Sequence, residues 1–273
     1  MSFSSIALGG GGVRGGLHIG GLAALESVYG VLPFPDGIYG SSVGAIVATA
    51  LAFGLRAEQM RAMFESHFDL QSVLPRLGLS TLIDFNKQKG MFTMDLFEET
   101  VVNAFQSQGI DLRNKRIQDA PKRLFIVASN LTTQRVSILT GSVPILDALR
   151  STSCIPFLFQ PQILYNQVYV DGGLCAHSLH DIVPPDCLVF HISYPNKPLF
   201  PTDLAEMTIG DMVRHIYVGK RTPIMTPNTV WFQNDSVQIL QPITSEHKKL
   251  LYDEGYSQTL RFLDSKRAAK EML

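Results

Sequence analysis

The sequence predicts a single α/β domain built on a mainly parallel sheet. Three observations carry that expectation. Within the first 54 residues the chain runs strand, helix, strand, helix, an order that right-handed crossovers turn into neighbouring parallel strands. Later runs without alternation, at 123–129 (Leu124, Phe125, Ile126, Val127) and 187–193, read as strands buried on both faces. Finally, 273 residues that are 45% apolar and 17% charged can build one sizeable core and lack the composition of a disordered chain.

Taken in order, residues 2–8 read as a short strand that stops at four consecutive glycines, Gly9 to Gly12. A helix is expected over 15–28, with Leu17, Leu22 and Leu25 on one side. Pro33, Pro35, Asp36 and Gly37 turn the chain into a very short strand at 37–41. Residues 43–53 are apolar all round, so their helix should be buried on every face. Further helices are expected at 57–68 and 94–106. Between them Leu74, Leu77, Leu79, Leu82, Ile83 and Phe85 form an apolar loop or broken helix that either joins the core, lines an apolar channel or touches a membrane surface. Strands at 135–139 and 167–170 join those at 123–129 and 187–193. A charged helix at 245–268 offers Leu250, Leu251, Leu260 and Leu263 for packing. No repeat and no linker rich in Pro, Gly or Ser divides the chain. Residues 3–178 are read as the core unit, and 179–273 as the C-terminal part of the same domain, without a motif of its own beyond 196.

Charge and cysteine content narrow the function. With 23 Lys and Arg against 24 Asp and Glu, the net charge of −1 gives no single-sign field for nucleic acid, and no nucleic-acid partner is expected. The cysteines, Cys154, Cys175 and Cys187, are odd in number and lack C-x-x-C spacing, which argues against zinc and against a disulfide framework. Residues 1–12 lack the basic start and apolar run of a leader. The longest nearly apolar run, 43–55, falls short of the roughly 20 residues that cross a bilayer. The expectation is a soluble, cytoplasmic protein, at most peripheral to a membrane.

Two glycine motifs carry chemistry. Gly10-x-Gly12-x-x-Gly15 lies between strand and helix, as a dinucleotide fingerprint does. The acidic residue that should end the second strand and hold a ribose is missing, however, since Ser41 and Ser42 stand there. No Lys-Ser or Lys-Thr follows Gly15, so a phosphate loop is not matched either. What remains is a cradle of backbone N–H groups at a helix start, suited to a developing oxyanion, or else a tight turn without a ligand. Gly40-Ser41-Ser42-Val43-Gly44 matches G-x-S-x-G at a strand-to-helix junction, the setting of a nucleophile elbow. Ser42 is therefore a candidate nucleophile, with a simple helix N-cap as the plainer role. An ordinary α/β-hydrolase places several strands before its nucleophile, and 41 residues leave room for one strand and one helix.

A serine needs a base. Asp171 follows an expected strand and is turned sharply by Gly172 and Gly173. It is either that base or a turn residue capping its own backbone, and His18, His177 and His180 are rival bases. The glycine loop with Arg14 and Gly15, the elbow around Ser42, and Asp171-Gly172-Gly173 together resemble the three signature motifs of the patatin-like phospholipase family, in order over about residues 5–175. Gly9 stands where family members often carry Asp. The resemblance implies a three-layer α/β/α fold and a Ser42–Asp171 dyad working without histidine. It further implies an oxyanion hole at Gly11 and Gly12, no cofactor or metal, and lipid esters as substrates. Arg14 is expected to tie the loop to a nearby carbonyl or carboxylate, or to add charge near the oxyanion. The segment Pro156-Phe157-Leu158-Phe159 is expected either to pack near the site or to be ordinary core. A phosphate-binding module and a catalytically silent lipid-binding protein are the alternatives.

Overall fold

A computed structural model describes residues 3–69, 73, 85, 89–175, 178–193, 201–202, 207 and 226–271. In chain order the elements are β1 (Ser5–Leu8), a 3-10 turn (Gly12–Gly15), α1 (Gly16–Tyr29), β2 (Gly37–Ser41), α2 (Val43–Ala52), α3 (Ala57–His67), β3 (Gly90–Phe92), α4 (Asp95–Gln106), β4 (Leu124–Asn130), β5 (Arg135–Leu139), α5 (Ile145–Ser153), β6 (Phe157–Phe159), β7 (Gln162–Leu164), β8 (Gln167–Val170), β9 (Leu188–Ile192), β10 (Thr229–Phe232) and α6 (Ser245–Glu271).

Eight of the described strands make one sheet in the order β10-β9-β1-β2-β4-β8-β7, with β5 also on β4. The five from β10 to β4 are parallel to their neighbours, while β5, β7 and β8 add antiparallel pairs at one end. Alternation along the strands gives the sheet apolar surface on both faces. Ile6, Leu8, Ile38, Ile126, Leu188 and Phe190 enter the main core, whereas Ala7, Tyr39, Val127 and Val189 form a smaller cluster on the other face with Leu179 and Cys187. β9 and β10, both beyond residue 178, extend this same sheet.

The expected helix at 43–53 is α2, whose residues from Gly44 to Ala52 are all buried. α1 is buried more completely than the one-sided pattern of Leu17, Leu22 and Leu25 implies, because α6 lies along it. A Cβ on Gly20 would overlap Tyr252 O, and one on Gly255 would overlap Leu17 O, so the two helices meet backbone to backbone. The packed stripe of α6 is Leu251, Gly255, Thr259 and Leu263, one residue every four. Leu250, expected in that stripe, lies one position off it and is exposed.

Three-residue strands β3, β6 and β7, the four-residue β10 and the helix α5 are not anticipated by the sequence pattern. Three residues are too few to show a period, and α5 ends in Arg150-Ser151-Thr152-Ser153, which hides its apolar face. The apolar residues Leu74, Leu77, Leu79, Leu82 and Ile83 lie outside the described residues; Phe85 is half-buried. Among the described residues no helix is long and apolar enough to cross a membrane. All three cysteines are free thiols.

Candidate active site

Sheet register gathers the three motifs. Leu8 of β1 is level with Gly40 of β2, so the glycine loop and the elbow leave the sheet side by side at its carboxyl end. Ser41 is level with Val127 of β4, and Val170 of β8 pairs with Ser129 two residues further along. Asp171 therefore emerges next to Ser42, although 129 positions separate them in the chain. β1 also lies where the strand order reverses, with β2 on one side and β9 on the other, and ligands of open α/β sheets favour that crevice.

Ser42 sits at φ 53° and ψ −131°, a backbone region that a side chain other than glycine enters at a cost of about 1–3 kcal/mol. Its side chain makes no capping hydrogen bond to α2, so the plain N-cap role does not describe it. The elbow can close this tightly because Gly40 and Gly44 lack side chains. A Cβ on Gly40 would strike Ala45, and one on Gly44 would strike the carbonyls of Leu8 and Gly9. A Cβ on Gly15 would strike Val43, and one on Gly10 would rest against the Ser42 Cβ, which shows how near the loop lies to the serine.

Asp171 Oδ1 accepts the Gly173 N–H at 2.8 Å. Oδ2 is sealed from solvent and has no complete hydrogen bond, yet the Ser42 hydroxyl lies close enough to favour the ionised carboxyl. Burial outweighs that help and the Gly173 bond, and lifts the Asp171 pKa to about 6. A carboxylate so placed is a far better proton acceptor at neutral pH than an exposed one.

The glycine loop offers donors. Val13 N–H is occupied by Ile239 O at 3.0 Å, and Gly9 N–H by Phe190 O at 3.0 Å. No acceptor among the described residues takes the N–H of Gly11 or Gly12. Gly12 has φ +57°, and a Cβ there would run into the Ile239 backbone. Arg14 is buried and its NH1 donates to Ser193 O at 3.3 Å, the carbonyl tie expected of it.

His18 and His180 are engaged elsewhere. His18 donates from Nε2 to Gly9 O at 2.7 Å, and burial, assisted by the nearby Arg14 charge, drops its pKa to about 4. It is a neutral strut of the loop. His180 lies between Ser178 Oγ and Thr229 Oγ1. His177 lies outside the described residues.

Beside Ser42 opens a cavity of about 120 Å³ lined almost wholly by apolar side chains, among them Ile46, Val47, Met60, Met63, Phe64 and Phe97. Ile155, Leu158 and Phe159 also line it, so Leu158 and Phe159 of the 156–159 segment pack at the site, while Phe157 is exposed. The C-terminal part adds Leu240 and Ile243.

A sequence model of the family described as patatin-like phospholipase matches residues 6–182, well over half of the chain. The chain belongs to the patatin-like phospholipase family. Its relatives include uncharacterized protein R571 of Acanthamoeba polyphaga mimivirus, 29% identical over 177 residues that cover 62% of this chain and 57% of that one. The cUMP-AMP-activated phospholipase of Escherichia coli is 26% identical over 197 residues, 63% of this chain and 55% of the relative. The chain thus spans little more than half the length of either. In fold it is similar to VipD from Legionella pneumophila, with a TM-score of 0.57 at 16% identity over 97% of this chain and 67% of VipD.

Two contributors to this patatin-like site carry no sequence signal. Thr152, ending an unanticipated helix, accepts the Ser42 N–H, and Ile239, outside the matched region, braces the glycine loop. Neither belongs to a local motif, and only the folded chain brings them there.

Proposed function

We propose that this protein hydrolyses fatty acyl esters of lipids through an acyl-serine intermediate. Ser42 Oγ attacks the ester carbonyl while Asp171 takes its proton, and the N–H groups of Gly11 and Gly12 receive the oxyanion. The tetrahedral intermediate collapses as Asp171 returns the proton to the departing alcohol. A water then gives its proton to Asp171, attacks the acyl-serine and releases the fatty acid, and Ser42 recovers its proton. The observation that carries this reading is the buried Asp171 carboxyl facing a serine on a strained elbow at the mouth of an apolar cavity. That apolar lining favours an acyl chain over the phosphate of a nucleotide-binding module. Phospholipids, lysolipids and acylglycerols all present the ester this site would take, reached by peripheral contact with a lipid surface.

The direct test is a fluorophosphonate probe, expected to label Ser42 and no other residue; an unlabelled, folded protein would refute the mechanism. The rate should depend on the ionised form of Asp171. With the folded pKa near 6, kcat/KM on a p-nitrophenyl ester should fall about tenfold per pH unit below that value and level off above about 7. A rate that is flat from pH 5 to 8 would exclude Asp171 as the base.

The cavity should select the acyl chain. Ile243→Trp fills space beside Leu240 and should lower the hexadecanoyl-to-butanoyl ratio of kcat/KM. Each methylene kept out of an apolar site is worth about 0.8 kcal/mol, so a shift of at least tenfold is expected. An unchanged ratio would place the acyl chain elsewhere.

A further inference from the structure

We propose that Thr152 is a positioning residue that sets the spacing between Ser42 and Asp171. This rests on the dyad reading above and adds to it a residue outside the three motifs. Thr152 stands in the last turn of α5 with no exposed surface. Its Oγ1 accepts the Ser42 N–H at 2.9 Å and donates its own proton to Val127 O on β4. A hydroxyl has one proton to give, so these two bonds fix its orientation. Its backbone carbonyl accepts the Gly172 N–H at 3.0 Å, and two residues on, Cys154 O accepts the Asp171 N–H at 3.0 Å.

One residue therefore grips both halves of the site. The bond to the Ser42 amide holds the peptide entering the strained elbow. The bond from Gly172 holds the peptide leaving Asp171. Both anchors are tied through Val127 O to β4, the strand next to β2. The close fit leaves no room for slippage, since a Cβ on Gly172 would overlap Val127 O and Ser41 Oγ. Without the Thr152 hydroxyl, the Ser42 amide and the Val127 carbonyl lose a buried partner, and the elbow is free to relax away from the carboxyl.

The test compares Thr152→Val, which replaces the hydroxyl with a methyl, with Thr152→Ser, which retains it. Kinetics use p-nitrophenyl butyrate, with fluorophosphonate labelling as a second readout. Thr152→Val should lower kcat by about 10- to 100-fold, the scale of a reacting group displaced by about 1 Å, with KM within about twofold. Its acid limb should move above pH 6 as the Ser42 hydroxyl recedes from Asp171. Thr152→Ser should restore both kcat and the acid limb. In an Asp171→Asn background, Thr152→Val should slow Ser42 labelling by less than about threefold further, because its effect passes through the dyad. If Thr152→Val does not fold, Thr152→Ala removes the same hydroxyl without the added methyl and carries the same expectations. A folded Val or Ala variant with wild-type kcat and acid limb would overturn the proposal, as would failure of Thr152→Ser to restore them. If the wild type neither labels nor hydrolyses, it is the dyad reading itself that falls.

Discussion

Asp171→Asn is expected to lower kcat/KM on p-nitrophenyl butyrate by about 10⁴-fold, the order seen when a triad carboxylate becomes an amide. Ser42→Ala should lose at least as much, and the double variant should be no worse than the poorer single one, because the two groups act as a unit. Additive losses would mean that they do not share a step. The same substitution should make the protein more stable. The folded pKa of Asp171, near 6, lies above the ordinary value of about 4. Between those values the folded chain keeps a proton that the unfolded chain releases, so stability falls as pH rises through this window and stays lowered above it. A gap of about two units corresponds to about 3 kcal/mol. Asparagine is neutral throughout and can still accept the Gly173 N–H through Oδ1. Thermal melts should therefore show Asp171→Asn above wild type at pH 8, with the difference closing towards pH 4. An equal or lower melting temperature at pH 8 would contradict the burial cost assigned to this carboxyl.

Gly12→Ala is expected to cost about 10²- to 10³-fold in kcat, the usual loss when an oxyanion donor is displaced. The substitution meets two obstacles. The residue sits at φ +57°, and its new Cβ would overlap the carbonyl and side chain of Ile239. Either the loop or the C-terminal segment must move, and with the loop go the amides of Gly11 and Gly12. Backbone strain alone would lower stability without touching chemistry, so a control is needed. Gly54, at φ +87° with nothing near its Cβ position, carries comparable strain away from the site. Gly54→Ala should melt lower than wild type and retain its kcat. A Gly12→Ala protein that melts lower yet turns over normally would remove the glycine loop from the mechanism.

Much of the fold was legible locally. The buried helix α2 followed from a nearly continuous apolar run, and the parallel pairing of β1 and β2 from the alternation of strands and helices over the first 54 residues. The short strands β3, β6 and β7 were not, because three residues carry no period and take their conformation from a neighbour. Leu250 shows the same limit on a helix. Its composition marked it for packing, but the glycine contacts between α1 and α6 fixed the rotation that leaves it in water.

Local signals in the chain single out the candidate residues for the chemistry. Ser42 between glycines, Asp171 before two more, and the run from Gly9 to Gly12 are local signals, because tight turns and open amides depend on neighbours in the chain. It is the packed chain that brings these residues to one place, lifts the Asp171 pKa by burial, and sets Thr152 and Ile239 against the two loops. Desolvation and hydrogen-bond partners come from strands and helices distant in sequence. No local pattern records what will surround a side chain once the chain is packed.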